Sequence, residues 1–263
     1  MERIVFFTGA GAVENAWQPI LTALEKDVGF EIDADGANCF LASLVYLLRF
    51  YSTGTFPDVD KHSKIFFEGV NKVKSKISEA LLFAENNKQI RAQKELKDIL
   101  FKFIFSTDNQ ATFVTTNWDT VINNAINEYR KSNYPKDDIN IQFIHLHGCV
   151  KSPKSLYLPS EVVREPYRSF NDDEEMGRLH LEVSRAIELS NKTILYGLSL
   201  DPLDAELSIT LEAGWSSPNL REIILINPDH KKISQRVKLL LDSKYPAKII
   251  GYSPSNLEDK YEY

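Results

Sequence analysis

Cysteine is scarce in this chain of 263 residues: only Cys39 and Cys149 occur, far apart in sequence. Without a C-x-x-C pair a four-cysteine zinc ribbon cannot be built, and two cysteines make a poor disulfide framework. Long apolar runs are missing as well, since no stretch approaches the roughly 18 uninterrupted apolar residues of a membrane span. The run from Met1 to Phe7 meets Gly9 before it could serve as the apolar core of a secretory leader. These lacks lead us to expect a cytoplasmic protein with no membrane contact. A positive excess is missing too: 31 Lys and Arg face 37 Asp and Glu, a net of −6. That balance argues against direct nucleic-acid binding as the main role.

What is present suits a folded enzyme-sized domain. With 43% hydrophobic and 26% charged residues, the composition supports a substantial core. The length fits one large domain, or one domain carrying an insert. The charge is uneven, however. Residues 61–105 hold ten Lys/Arg against five Asp/Glu, a net of +5, which leaves −11 for the rest. This basic stretch reads as a solvated helix face, with a partner or nucleic-acid surface as the alternative.

Periodicity lays strands between helices. Strands are expected over 3–8, 111–115, 139–146, 156–158, 193–196, 222–226 and 247–250. Helices are expected from 14 or 15 to about 27, over a buried 37–50, as two or three segments within 61–105, and from 121. Further helices are expected over 175–189, 203–213 and 231–241. The acidic run 31–36 has the flavour of a calcium loop, but only Asp33 and Asp35 fit and the distal Glu is missing. The tail from Gly251 reads as peripheral. Alternating strands and helices make βαβ units, hence an α/β fold: a Rossmann-like parallel sheet with helices on both faces. The span 1–263 is then a single domain, and 30–107 an all-helical insertion within it.

Four strand ends carry unusual residues, and in an open α/β sheet ligands bind at the carboxyl ends of strands. After the first strand come Gly9-Ala10-Gly11, where glycines allow a phosphate close to the backbone ahead of a helix N-terminus. Glu14 occupies the third position of a G-x-G-x-x-G, so a tight connection is the plainer alternative. Next come Thr115-Thr116-Asn117-Trp118-Asp119, where one cap residue would satisfy a helix and polar residues are in excess. His145-Leu146-His147-Gly148 follows. Strand alternation puts both histidines on one face, as a metal pair, as a general base at His147, or as a satisfied core histidine at His145. The fourth is Gly197-Leu198-Ser199, with Asp201 at N-cap, Pro202 at N1 and Asp204 at N3 of an expected helix start; beyond the four, the strand end at Asn227 adds one more polar terminus.

In this order the segments resemble a SIR2-like domain, the sirtuin-type NAD-binding fold of bacterial anti-phage defence systems. Gly9-Ala10-Gly11 is similar to the opening GAG of that family, and Trp17 falls where its bacterial members often carry an aromatic. Thr116-Asn117-Trp118-Asp119 resembles the T-x-N-x-D signature, His147-Gly148 the HG, Gly197-Leu198-Ser199 the G-T-S, and Asn227 the late I-N. The likeness covers residues 4 to about 250. Departures are equally plain: no zinc module, no P-D-F-R loop after Gly11, and no clear peptide-pairing strand near 156–160. The resemblance therefore implies NAD+ as substrate, with no metal, and bare cleavage of the nicotinamide–ribose bond rather than deacylation. It implies Asn117 and His147 as catalytic residues, with Gly9, Ala10, Gly11, Trp17, Thr116, Asp119, Gly197, Ser199 and Asn227 around the dinucleotide. It also implies an effector of abortive infection, as a homo-oligomer or in a complex with an ATPase/helicase-type or Argonaute-type partner. A non-catalytic NAD- or ADP-ribose-binding or structural subunit is the alternative, and a metal-dependent hydrolase using His145 and His147 is a third.

Overall fold

A computed structural model describes residues 2–55, 58–105, 109–134 and 143–263, with only the backbone at 26–28. The chain opens with strand β1 (Arg3–Thr8), a 3-10 turn over Ala10–Ala12, and the two-residue β2 (Val13–Glu14). Helices α1 (Gln18–Val28), α2 (Ala34–Thr53) and α3 (Val59–Asn86) follow. Then come β3 (Arg91–Ala92), α4 (Leu96–Leu100) running into a wider turn at Phe101–Phe105, β4 (Gln110–Thr115) and α5 (Val121–Asn133). The second half holds β5 (Phe143–His145), α6 (Phe170–Glu188), β6 (Lys192–Tyr196), α7 (Ala205–Trp215) and β7 (Glu222–Ile226). It closes with α8 (His230–Leu240), β8 (Lys248–Ser253) and β9 (Asn256–Glu262).

Seven strands form one sheet in the order β5-β4-β1-β6-β7-β8-β9, parallel except for β9, which runs antiparallel to β8. Counted along the chain, the six parallel strands stand 3-2-1-4-5-6, the doubly wound arrangement. The strand order reverses at β1, so the carboxyl ends of β1 and β6 flank a crevice of the kind such sheets use for ligands. Thr8 sits opposite Thr115 on one side and Tyr196 on the other, which levels these strand ends.

Both sheet faces are covered, and β1 shows why. Its buried run has no polar face to give to water. Ile4 and Phe6 join a core built with α1, α2, α3 and α5, while Val5 and Phe7 join a second core with α6, α7 and α8. Each fully buried side chain of this kind contributes about 1.5–3 kcal/mol. No helix of the described residues is long and apolar enough to cross a membrane.

The structure departs from the sequence expectations in several places. The first helix starts at Gln18 rather than 14 or 15, because Asn15 takes a left-handed φ of 57° and Val13–Glu14 pair with Arg91–Ala92. The acidic run 31–36 is a helix start, with Asp33 accepting the Gly36 N–H at 2.8 Å. The helix expected to be buried over 37–50 is amphipathic, leaving Tyr46 and Phe50 exposed. Of the strand expected over 139–146, residues 139–142 lie outside the described residues, and the ladder holds Phe143–His145. Residues 156–158 are buried but not a strand. The Tyr157 N–H goes to His147 O and the Leu158 N–H to Glu161 Oε2, so no ladder forms. The tail from Gly251 is not peripheral, because Gly251 pairs with both Leu225 and Tyr261. Nor is the basic stretch wholly solvated, since Lys74 is buried against Glu161 at 3.2 Å.

Candidate functional site

At the carboxyl ends of the parallel strands lies a cavity of about 700 Å³. Ala10, Gly11 and Trp17 line it from the first loop, Thr116, Asn117 and Asp119 from the end of β4, and His147 from beyond β5. Gly197 and Ser199 line it after β6, and Asn227 after β7. Ten of the eleven residues singled out in the sequence thus share one cavity; Gly9 does not line it.

The glycines at the switch point are there for each other. Gly197 has φ +65°, and a Cβ on it would meet Ala12 N at 2.3 Å. A Cβ on Gly9 would sit 2.8 Å from Gly197 O. The N–H groups of Gly9 and Gly11 donate to Tyr196 O and Gly197 O, and that of Ala12 to Gly9 O. These three amides are therefore taken. What the turn offers a ligand is close approach to backbone rather than a ring of free donors.

The end of β4 carries a different provision. Asn117 is buried, 7% exposed, and its Nδ2 has no hydrogen-bond partner. Its backbone is pinned: its N–H donates to Thr115 Oγ1 at 3.1 Å, and its carbonyl stands 3.2 Å from His145 Nδ1. The other ring nitrogen of His145 lies 2.7 Å from Asn123 Nδ2. Burial lowers the His145 pKa. A neutral ring that donates from Nδ1 and accepts at Nε2 satisfies both contacts. His145 thus braces Asn117 and has no nitrogen left over for a ligand. It does not share the surroundings of His147, because β5 ends at His145 and the strand alternation stops there. Asp119, also buried, accepts the Val121 N–H at 3.0 Å, and burial with Glu85 nearby pushes its carboxyl up to about 7.

His147 stacks on Tyr157, ring centroids 5.4 Å apart at 12°. Gly148 follows it at φ +77°, where a Cβ would strike Ser155 O at 2.0 Å. Asp204 Oδ1 stands 3.3 Å from His147 Nε2, off the line of a formed hydrogen bond, so that buried nitrogen has no partner within bonding geometry. Behind Tyr157 lie His180, 5.8 Å away between ring centroids, and the Arg168 guanidinium, 5.1 Å from the ring. Burial and the neighbouring His147 bring His180 down to about 4, so it is neutral near pH 7.

On the β6–β7 side the expected helix start moves. Asp201 accepts the Leu203 N–H within a turn, and Asp204 caps α7 through the Leu207 N–H. Asn227 spends its side chain on the loop after β6, donating from Nδ2 to Leu198 O and accepting the Asp229 N–H. Arg236 of α8 donates to Ser199 O and Leu200 O. Leu200 has φ +52°, and Asn15 and Ser160, both also on the cavity wall, have φ +57° and +70°. Side chains in this region cost about 1–3 kcal/mol each, and such strain gathers at functional sites.

Sequence patterns missed Tyr157, took Asp204 only as part of a helix start, and gave Trp118 no role beyond its place in the motif, where its indole N–H holds Tyr157 O at 3.2 Å. Tyr157 carried no local signal, because its place is set by a long-range stack. Among the described residues no group of three or more His, Cys, Asp or Glu is placed to hold a metal. Compared with models of known protein families the chain matches none, and no curated protein matches it.

Proposed function

We propose that this chain is an NAD+ glycohydrolase of the SIR2-like kind, cleaving the nicotinamide–ribose bond to give nicotinamide and ADP-ribose. One observation carries the reading. At the switch point of a doubly wound sheet, where dinucleotides bind, a buried Asn117 amide without a partner and His147 line the same cavity. An unpaired buried donor costs about 1–3 kcal/mol, a cost a bound ligand would relieve.

In this reading the diphosphate approaches the backbone at Ala10 and Gly11, with Gly9 behind them shaping the turn, Trp17 and Thr116 beside it, and Gly197, Ser199 and Asn227 toward the adenosine half. Asn117 Nδ2 donates to a ribose hydroxyl or to the attacking water. The water oxygen bonds to C1′ as the C1′–N bond breaks, and that electron pair leaves with nicotinamide. The water proton passes to His147. Asp119 keeps the Asn117 turn in place. The fold is then the sirtuin-type variant with 30–107 inserted, and the biological role that of an effector in anti-phage abortive infection. It would act as a homo-oligomer or beside an ATPase/helicase-type or Argonaute-type partner in the cytoplasm.

The test is incubation with NAD+, following nicotinamide and ADP-ribose by chromatography, beside Asn117→Ala and His147→Ala. Each variant should lose about 10²–10⁴-fold in rate while still folded. Variants that match the wild-type rate would remove the assignment. Tight NAD+ binding without turnover in any assembly state would instead favour the non-catalytic binding subunit.

A further inference from the structure

We propose that Asp204 is the positioning residue for His147, fixing which ring nitrogen carries the proton and supporting the charge that develops on the ring. The proposal rests on the hydrolase reading for its kinetic consequence, but not for its geometry. His147 lines the cavity, its ring is held flat against Tyr157, and its Nε2 is buried with Asp204 Oδ1 3.3 Å away. A small ring rotation turns this approach into an Nε2–H donating to the carboxylate. In that tautomer Nδ1 bears the lone pair and is the nitrogen that accepts a proton. Asp204 is itself fixed as the cap of α7, so the carboxylate does not have to be ordered when the ring charges.

The surroundings support one direction of charge. Tyr157 on the loop after β5 stacks on the ring and Asp204 at the start of α7 stands beside its Nε2, while His180 on α6, Arg168 and Glu206 lie around Tyr157. His180 is neutral near pH 7, its Nδ1 held 2.8 Å from Thr210 Oγ1, so it adds no repulsion when His147 gains a proton. Among these groups Asp204 is the carboxylate in contact with the imidazole. A carboxylate this close is placed to accept a hydrogen bond from Nε2–H.

The experiment reads the ring directly. Imidazole nitrogen NMR of the full chain, with His147→Gln for assignment, follows the tautomer of His147 in wild type, Asp204→Asn and Asp204→Ser. Both replacements keep a good helix cap, so thermal unfolding should stay near wild type. In the wild type His147 should be the Nε2–H tautomer. In both variants that preference should weaken. NAD+ cleavage should lose about 10²-fold in kcat with KM nearly unchanged. A His147 tautomer indifferent to residue 204 would overturn the proposal, even if cleavage is intact. Wild-type protein that does not cleave NAD+ would overturn the hydrolase reading alone, because the NMR comparison decides Asp204 without turnover.

Discussion

Replacing Asp119 by asparagine should stabilise the protein at neutral pH and remove a pH dependence that this one side chain imposes. Asp119 is 5% exposed, and burial, with Glu85 nearby, holds its carboxyl at about 7 despite the hydrogen bond from Val121 N–H. In the unfolded chain the same group titrates near 3.9. Between these values the native state keeps a proton that the unfolded state has lost. Stability therefore falls as pH rises from about 4 to about 7 and levels off above. The gap is about three units, each about 1.4 kcal/mol, which sets a ceiling of about 4 kcal/mol on the effect. The amide that replaces the carboxyl has no proton to lose and can still accept from Val121 N–H. The measurement is denaturant unfolding of both proteins from about pH 4 to about pH 8, taken as a difference so that every other titrating group cancels. The variant should gain on the wild type steadily with pH and then hold a constant lead. Parallel stability curves would refute the reasoning, showing that the buried carboxyl ionises at its ordinary pH.

Two further predictions concern the supports of the site. Glu161 should matter far more than its partner Lys74, because it also accepts from Leu158 N–H and Tyr167 Oη and lies 3.5 Å from Arg168. Glu161→Ala strands a buried ammonium and should cost about 3–5 kcal/mol in chemical denaturation, whereas Lys74→Met leaves Glu161 with its remaining partners and should cost well under half of that; equal losses would contradict this. Gly197→Ala forces a Cβ onto Ala12 N at 2.3 Å in a left-handed conformation, for a loss of about 2–5 kcal/mol in thermal unfolding. Gly69→Ala in α3, where nothing lies within 4 Å, should by contrast be neutral or gain up to about 1 kcal/mol.

Much of the sheet was legible because β1, β4, β6 and β7 are short apolar runs that end in abrupt polar turns, and strands buried on both faces have to look that way. The candidate site was legible for the same reason: Gly9–Gly11, Thr116–Asp119, His147 and Gly197–Ser199 interrupt apolar strands at one level, and parallel register gathers them. What escaped was long-range. β9 has a charged, exposed sequence, and only its pairing with β8 makes it a strand. Val13–Glu14 pair with residues nearly eighty positions away, so no window around them announces an extended segment. At the start of α7, Asp201-Pro202 fits the local cap pattern better than Asp204 does. Tertiary packing placed the cap three residues on, where its carboxylate also reaches His147. The buried ion pairs of Glu161 and Glu165 join segments about a hundred residues apart, and charge alone cannot show which carboxylates are buried.

The two rims of the sheet bear on how the molecule can associate. Open strand edges invite another chain to add its own strand, and proteins blunt them by shortness or by charge. Here, among the described residues, β5 contributes three ladder residues at one rim. β9 closes the other with Glu258, Asp259, Lys260 and Glu262, all exposed. Growth by strand addition is disfavoured at the β9 rim. A second copy or a different partner kept off that rim finds helical surface instead, where α2 and α3 hold Tyr46, Phe50, Ile65 and Phe67 toward solvent.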